Sequence, residues 1–373
     1  MIIQSVELQN FRNYQSLELV LDPGINIFYG DNAQGKTNIL ESIYVGCTSK
    51  SHKAVKDREM IRFSAEEAHI KVNLTRRDTA HRIDMHIKKN SSKGIALNGI
   101  PIRKVSQLFG IANVVIFSPE DLNIIKNGPG ERRRFMDMEL CQLNRIYVHN
   151  LISYNKVVNQ KNKLLKEAHF IKEYEDFLDI YNTQLVKYGT EIIRIRRDFI
   201  SHLNDIIRDK HDSITDHKEE ISILYEADTD EDSFEKEIER RKPQELKQGI
   251  CLVGPHRDDL CFTVNGIDIR HFGSQGQQRT ATLSLKLAEI SLVSEMTGDK
   301  PVLLLDDVLS ELDRGRQNLL LNSIGGIQTL ITCTGLDDFV NHRFHMDKVF
   351  YVKDGTAKAA EASLEPAGNE ERK

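Results

Sequence analysis

The chain has 373 residues, of which 39% are hydrophobic and 29% are charged, and its formal net charge is −5. This composition predicts a globular protein of two domains, and because the chain is not globally basic, any nucleic-acid surface must be a local patch. No apolar run has the length of a membrane span and the five cysteines are scattered, which argues against a membrane protein, a disulfide framework and a zinc site and predicts a cytoplasmic protein.

The first predicted elements are a hairpin and the strand that follows it. Apolar and polar residues alternate through residues 1–21, and a turn is predicted at 22–24, before an apolar strand at 25–29. Arg12, between the two arms of the hairpin, is a candidate nucleotide contact. An ordinary surface arginine is the more common role for such a residue, and both interpretations stay open.

A phosphate-binding loop follows this strand. Residues 30–37 fit the pattern G-x-x-x-x-G-K-[ST], and a helical pattern begins directly after them. The two glycines allow successive backbone N–H groups to point at phosphate oxygens, and the helix adds its positive N-terminal end. Lys36 supplies charge to the β- and γ-phosphates, and the Thr37 hydroxyl is placed for Mg²⁺. The predicted nucleotide-binding residues of this loop are Gly30, Asp31, Asn32, Ala33, Gln34, Gly35, Lys36, Thr37 and Asn38.

Basic segments follow the loop. Residues 44–63 are polar and basic, and the alternating segments 68–74, 82–87 and 94–102 are predicted to be antiparallel strands that carry many lysines and arginines. A basic sheet beside a nucleotide site suggests a surface for the DNA phosphate backbone, although a solvated charged face would have the same pattern. The candidate DNA contacts are Lys53, Lys56, Arg76 and Arg77.

Helical spacing then replaces the strand pattern. Residues 131–242 contain no proline and one glycine, and apolar residues recur every three or four positions in two stretches, 147–158 and 185–199. These stretches predict two long antiparallel helices with a turn around 166–174. The acidic run at 228–232 is expected to be a solvated loop. Strand patterns return at 250–253, 261–264, 267–269, 301–305, 329–333 and 349–352, with a helix predicted at 280–296.

The apolar strand at 301–305 ends in two acids. Asp306 is placed to reach Mg²⁺ from the carboxyl end of the strand, and Asp307 to polarise the attacking water, so that Asp307 and Lys36 are the predicted catalytic residues. Too much chain separates this strand from the phosphate-binding loop for a single crossover. The two ends of the chain are therefore expected to build one sheet, with the helical arm inserted between them.

A second possible phosphate-binding helix end begins at Ser274. Its hydroxyl, the flexible Gly276 and the neighbouring Gln277 precede a helix and could bind an anion. Two separate phosphate-binding helix ends suggest a head-to-tail dimer, in which Ser274, Gly276 and Gln277 of one subunit contact the γ-phosphate held by the other. A plain serine N-cap would show the same pattern.

Together these motifs resemble the ABC-type ATPase heads of the SMC and recombination-repair group. Finer matches resemble the RecF family over nearly the whole chain: L-Q-N-F-R-N-Y at 8–14, F-S-P-E-D-L at 117–122, E-R-R-R-F at 131–135 and G-P-H-R-D-D at 254–259. The resemblance implies an α/β fold: an ABC-type ATPase head with a mixed sheet and added antiparallel strands at 1–125 and 249–355, a helical arm at 126–248, and a frayed tail at 356–373.

The resemblance also implies a function. RecF-like proteins are weak, DNA-dependent ATPases that use ATP and Mg²⁺, form an ATP-dependent homodimer, bind gapped duplexes and single/double-strand junctions, and act with RecR and RecO to load RecA in recombinational repair, replication restart and the SOS response. This chain departs from the wider ABC pattern at three places. Asp307 replaces the usual glutamate, no switch histidine follows the strand at 329–333, where Thr332 and Thr334 lie, and no glutamine stands beside Ser118. These departures fit slow hydrolysis and leave open which residue activates water.

Two other functions fit the same motifs. A nucleotide-sensing scaffold that recruits repair proteins with little direct contact to DNA would fit the negative net charge. The ATPase of a membrane transporter is a third interpretation, against which the long arm and the missing switch histidine count.

Overall fold

The computed structural model describes residues 1–53, 56–167, 173–336 and 346–360. Its strands, in chain order, are β1 (Ile2–Phe11), β2 (Tyr14–Val20), β3 (Ile25–Tyr29), β4 (Glu67–Arg76), β5 (Thr79–Lys88), β6 (Gly94–Leu97), β7 (Ile100–Pro101), β8 (Val114–Phe117), β9 (Ile221–Glu226), β10 (Asp259–Val264), β11 (Ile267–Asp268), β12 (Val302–Asp306), β13 (Thr329–Cys333), β14 (Lys348–Lys353) and β15 (Thr356–Ala359). Its helices are α1 (Lys36–Thr48), α2 (Leu122–Lys126), α3 (Pro129–Leu143), α4 (Arg145–Glu167), α5 (Tyr174–Thr215), α6 (Phe234–Gln248), α7 (Gln275–Thr297) and α8 (Arg314–Ser323).

The chain packs as two compact units, Met1–Pro119 with Pro301–Lys373, and Glu120–Lys300. This division differs from the one expected from the sequence, which groups residues 249–300 with the ATPase head. In the structure, residues 249–300 belong to the same unit as the long helices, as two contacts show. Strand β10 pairs antiparallel with β9, and α7 packs against α5. The α/β class with a mixed sheet and added antiparallel strands is confirmed.

One sheet of the first unit brings together strands from both ends of the chain. Its order is β15-β14-β3-β13-β12-β8, and all neighbours are parallel except β15. Strand β12 is buried along its whole length, as expected for a central parallel strand covered on both faces. Because the carboxyl ends of parallel strands share one edge, the loops after β3, β12 and β13 meet there.

The other sheet of this unit is antiparallel, with the order β2-β1-β4-β5-β6-β7. The predicted basic strands are therefore present, with bounds that differ by a few residues. Alternate residues of β4, among them Ala68, Ile70 and Val72, are buried on its inner face, while His69 and Lys71 lie on the outer face. Helix α1 packs against the inner face, since Gly46 lies beside the Val72 side chain.

The second unit contains the two predicted long helices. Near one end of the pair, the Arg196 Nε atom of α5 donates to the Tyr147 hydroxyl of α4 at 2.9 Å. Near the other end, Leu164 and Leu165 of α4 share a hydrophobic cluster with Leu178 of α5. The helices are therefore antiparallel, and the centre of the predicted turn, residues 168–172, lies outside the described residues. None of the described helices combines the length and apolar character needed to cross a bilayer.

Four local predictions are wrong. Residues 250–253 form no strand, because the backbone N–H groups of Cys251 and Leu252 donate to side chains of Asn162 and Glu245 instead of a neighbouring strand. Strand β9 lies inside the segment 126–248, which the sequence predicts to be a helical arm without strands. The acidic run is not simply solvated, since Asp228 accepts a hydrogen bond from the Gly254 backbone at 3.0 Å. The predicted frayed tail begins with strand β15, and its residues from 361 onwards lie outside the described part.

A buried ionic network holds the core of the second unit. Arg196, which is 2% exposed, donates to the Asp258 carboxylate at 2.7 Å and to the Asp137 carboxylate at 2.8 Å. Asp258 is fully buried and also accepts a bond from the Tyr225 hydroxyl. The G-P-H-R-D-D turn at 254–259, dense in reactive side chains, is therefore a structural anchor of this unit.

We predict that Arg196→Met destabilises the protein by about 3–5 kcal/mol, because it leaves the buried Asp258 charge without its partner. The matched control is Arg197→Met on the same helix, which removes an exposed ion pair with Glu231 and should cost at most about 1 kcal/mol. Urea unfolding of both variants measures the difference. Equal losses of stability would contradict a special role for the buried network.

Candidate nucleotide-binding site

The phosphate-binding loop lies between β3 and α1, at the carboxyl edge of the parallel sheet. Lys36 is 5% exposed, and its Nζ atom donates to the carbonyl oxygens of Gly30 at 2.7 Å and Asp31 at 2.9 Å. The ammonium group thus lies across the curled loop. A phosphate bound by the loop N–H groups would meet this charge, as the motif predicts.

Only glycine fits at the two glycine positions of the loop motif. Gly30 has φ 151° and Gly35 has φ 114°, in the region that side chains disfavour. A Cβ atom on Gly35 would lie 2.5 Å from the Asn13 amide nitrogen, and one on Gly30 would collide with the Val352 carbonyl oxygen. The loop therefore depends on close packing against the first hairpin and β14.

The turn of the first hairpin braces the loop. The Asn13 amide donates to the Gln34 carbonyl at 2.9 Å, and the Tyr14 hydroxyl donates to the Gly35 carbonyl at 3.1 Å. Burial raises the pKa of Tyr14, which further favours the protonated form that donates this bond. Asn38, a predicted nucleotide contact, donates to Asn13 at 2.8 Å and so takes part in the same bracing.

Thr37 and Asp306, the two predicted Mg²⁺ residues, lie in contact. The Thr37 hydroxyl donates to Asp306 Oδ1 at 2.7 Å, and the Thr332 hydroxyl donates to the same oxygen at 2.9 Å. Burial raises the pKa of Asp306, and the two hydroxyl donors oppose that rise. A hydroxyl and a carboxylate are hard oxygen ligands, so this pair could hold Mg²⁺ beside a bound phosphate.

Asp307 adopts a backbone conformation that is rare for a residue with a side chain, with φ 55°. Its N–H group donates to the Thr332 hydroxyl at 2.9 Å, and its carbonyl oxygen accepts from Ser310 at 2.7 Å. Strain of this kind is common where a fold must aim a functional group. Thr332 therefore hydrogen-bonds to both Asp306 and Asp307. In the sequence, its only distinguishing feature is that it lies near the position of the missing switch histidine.

Arg12 pairs with a buried carboxylate of its own chain, and its contact with a nucleotide stays a prediction. Its Nε and Nη2 atoms donate to the two carboxylate oxygens of Glu41 at 2.8 and 2.7 Å, and its Nη1 atom donates to the Glu59 carbonyl at 2.7 Å. Glu41 is fully buried on α1 and needs a counter-charge. Although burial acts to raise it, hydrogen bonds from Arg12 and Ser51 hold the pKa of Glu41 below its usual range.

The Ser274 segment begins α7 in the second unit. Ser274 Oγ accepts from the Gln277 N–H at 3.1 Å, and Gln277 Oε1 accepts from the Ser274 N–H at 3.0 Å, which forms a capping box. Ser274 and Gly276 are exposed. The Gln277 amide also donates to Glu219 at 2.9 Å, a residue that no sequence pattern singled out. The N-cap role is thus real in the single chain, and a role in binding phosphate across subunits remains a prediction.

The four candidate DNA contacts have different surroundings. Lys56 and Arg77 are exposed, whereas Arg76 donates to the Gly110 carbonyl. Lys53 lies close enough to Asp306 for its charge to lower the pKa of that acid, which places it near the nucleotide site. Several other basic side chains in or next to the strands of the antiparallel sheet lie in ion pairs, including Arg82 with Asp84, Lys89 with Glu66 and Lys93 with Asp57.

The fold and this site define the class of the protein, a P-loop ATPase of the ABC type. A family model described as the RecF/RecN/SMC N terminal domain matches residues 2–358. The Smc head domain with an extended coiled coil from Pyrococcus furiosus has a TM-score of 0.56 at 15% identity over 96% of each chain, and so shares the fold alone.

Closer relatives identify the family. The DNA replication and repair protein RecF of Lachnoclostridium phytofermentans is 57% identical over 358 residues, which cover 96% of this chain and 99% of that protein. A solved structure of the recombination mediator protein RecF-ATP in the RecFOR pathway has a TM-score of 0.90 at 34% identity, covering 96% of this chain and 98% of the other. The chain belongs to the RecF family of DNA replication and repair proteins.

We predict that Arg12→Ala lowers stability by about 3 kcal/mol at neutral pH, because it leaves Glu41 buried and charged without its partner. In the wild type, the lowered pKa of Glu41 adds stability that is present above the unfolded carboxyl pKa and is lost as the pH falls through the folded pKa. In the variant, an unpaired buried carboxylate has a raised pKa and takes up a proton on mild acidification. The deficit should therefore shrink as the pH falls.

Thermal unfolding of the wild type and Arg12→Ala across the acidic and neutral range measures this effect. The control is the double variant Arg12→Ala/Glu41→Gln, which removes the charge and should recover part of the loss at neutral pH. A deficit that is the same at every pH, with no recovery in the double variant, would show that Arg12 acts by packing alone.

Proposed function

We propose that this chain binds ATP with Mg²⁺ and uses it as a switch for dimerisation on DNA. The observation that carries the proposal is the contact between Thr37 of the phosphate-binding loop and Asp306 of a distant strand, with Lys36 lying across the same loop. Gly30 to Asn38 would enclose the phosphates, and Thr37 and Asp306 would hold the metal. The solved structure described as RecF-ATP supports ATP as the nucleotide.

The dimer would use the Ser274 segment of the partner subunit. A helix N-terminus with an exposed serine hydroxyl favours negative charge, and Ser274, Gly276 and Gln277 would contact the γ-phosphate there. In the single chain, Ser274 and Gln277 hydrogen-bond to each other, and Gln277 also bonds to Glu219. Dimerisation would exchange the Gln277 side-chain bonds for bonds to phosphate, so that the nucleotide supplies part of the association energy.

Hydrolysis would then reopen the dimer. Asp307 is the proposed water-polarising residue, held by its bond to Thr332. An aspartate is one methylene shorter than the glutamate usual in transporter ATPases, which supports slow hydrolysis and a switching role. In such a dimer each nucleotide lies in a composite site, made of the phosphate-binding loop of one subunit and the Ser274 segment of the other. We propose that DNA stimulates the weak ATP hydrolysis, because closure of the dimer on DNA would complete both composite sites.

The biological role follows from the family. We propose that the chain binds gapped duplexes and single/double-strand junctions, and that with RecR and RecO it helps to load RecA during recombinational repair and replication restart. The RecFOR pathway named for the solved relative supports these partners. DNA contacts would be mostly to phosphates, and hence sensitive to salt and nearly independent of sequence.

A scaffold function is the second candidate. The ion pairs of Arg82, Lys89 and Lys93 reduce the free positive charge on the antiparallel sheet. A nucleotide-sensing scaffold would need the composite ATP site but no strong DNA surface. The two candidates therefore differ in DNA binding and agree on dimerisation.

We predict that light scattering gives the monomer mass of 42.7 kDa without nucleotide and about twice that with ATP and Mg²⁺. Lys36→Met and Ser274→Arg should each remain monomeric, because each removes one half of both composite sites. Ser233→Arg, at the serine that precedes α6, is the matched control and should dimerise normally.

A mixture of Lys36→Met and Ser274→Arg tests the head-to-tail arrangement. Such a mixed dimer contains one intact composite site, so partial dimerisation and partial ATPase activity should return. Dimerisation of either single variant as strong as that of the wild type, or a mixture without any rescue, would contradict the proposed arrangement.

We predict that Lys56→Glu/Arg77→Glu weakens binding to gapped DNA while ATP-dependent dimerisation persists. The slope of log affinity against log salt should fall by about two, one for each lost phosphate contact. Fluorescence anisotropy at several salt concentrations measures it, with Lys187→Glu/Lys236→Glu as the control of equal charge. Lys53 is left unchanged because it lies near Asp306. Unchanged DNA binding in the first variant would favour the scaffold.

A further inference from the structure

Two histidines face each other on the outer surface of the antiparallel sheet. His69 of β4 and His86 of β5 are direct partners in the antiparallel register. Their rings stack with centroids 3.9 Å apart and an angle of 22° between the planes. Because β4 is paired on both sides, with β1 and β5, the backbone holds the two histidines at facing positions on the sheet.

A carboxylate completes the group. Glu67 lies two residues before His69 on β4 and therefore on the same face. Its Oε2 atom is 2.9 Å from His86 Nε2, and its Oε1 atom is 3.7 Å from His69 Nε2. One ligand atom from each of the three residues can be chosen so that all lie within 4.8 Å of one another. Tetrahedral ligands on a zinc-sized ion are about 3.3 Å apart, so small side-chain rotations would close the site.

The group is accessible from a groove on this face. The groove has a volume of about 590 Å³, and both histidines line it together with Gln9, Lys71 and Asp84. Neither ring is fully buried: the side chains of His69 and His86 are 44% and 30% exposed. The nearby lysine and acid are already paired elsewhere, Lys71 with Glu7 and Asp84 with Arg82. An ion bound here would therefore keep a coordination position open towards the groove.

We propose that Glu67, His69 and His86 form a binding site for a late first-row divalent metal ion such as Zn²⁺, Ni²⁺ or Cu²⁺. Two imidazoles and one carboxylate suit these ions, whereas Mg²⁺ prefers oxygen ligands alone. The site is separate from Thr37 and Asp306 in its residues and in its choice of metal. It does not depend on the proposed ATP-driven function.

The test is calorimetric titration of the untagged full-length protein with Ni²⁺ in the absence of nucleotide. The wild type should bind one equivalent tightly, and His69→Gln, His86→Gln and Glu67→Gln should each weaken that binding by about tenfold or more, since each loses one of three ligands. The matched control is His202→Gln, because His202 lies 3.1 Å from Glu295 as a single histidine–carboxylate pair. It should leave the titration unchanged.

A second measurement identifies the ligands and guards against misfolded variants. The Cu²⁺ electron paramagnetic resonance spectrum should show coupling to two imidazole nitrogens in the wild type and to one in His69→Gln or His86→Gln. Metal should also raise the unfolding temperature of the wild type only. The proposal would be overturned by binding in His69→Gln/His86→Gln equal to that of the wild type, by a loss of the same size in His202→Gln, or by a copper spectrum without imidazole coupling.

Discussion

One carboxylate oxygen joins the parts of the nucleotide site. Asp306 Oδ1 accepts hydrogen bonds from Thr37 at the start of α1 and from Thr332 on β13, so that the loop after β3 and the ends of β12 and β13 are joined at a single atom. The burial that raises the pKa of Asp306 also makes its hydrogen bonds stronger. Thr332 also accepts a bond from the Asp307 N–H group, and the loop carbonyls separately hold Lys36.

The sequence predicts those parts of the site that depend on local chemistry. The spacing of Gly30, Gly35 and Lys36 specifies a loop, and an apolar strand ending in Asp306 specifies an edge of a parallel sheet. The partners of Arg12 and Thr332 could not be predicted in this way, because each lies across a contact between segments distant in sequence. A single buried carboxylate such as Glu41 produces no periodic pattern in the sequence. Its ion pair with Arg12 nevertheless sets the orientation of the Arg12 side chain.

The same limit explains the errors in the fold. Residues 250–253 have a strand-like composition, but side chains of Asn162 and Glu245 satisfy their backbone, and no pattern within the segment reveals these acceptors. The turn at 254–259 has the residue types of an active site, whereas Asp258 is a buried partner of Arg196. Whether a charged residue has a catalytic or a structural role depends on its burial and on the residues to which it hydrogen-bonds. Burial and hydrogen-bond partners are known only once the chain has folded.

The strand order of the nucleotide sheet has a consequence for how the protein is made. Strand β3 carries the phosphate-binding loop and emerges early, but its two sheet neighbours are β13 and β14, which begin at Thr329 and Lys348. At synthesis rates of about 5–20 residues per second, β3 waits roughly 15–60 s on the ribosome before either neighbour exists. Until β13 and β14 have been made, the backbone N–H and C=O groups along both edges of β3 lack their native partners, and the nascent chain has no complete nucleotide site.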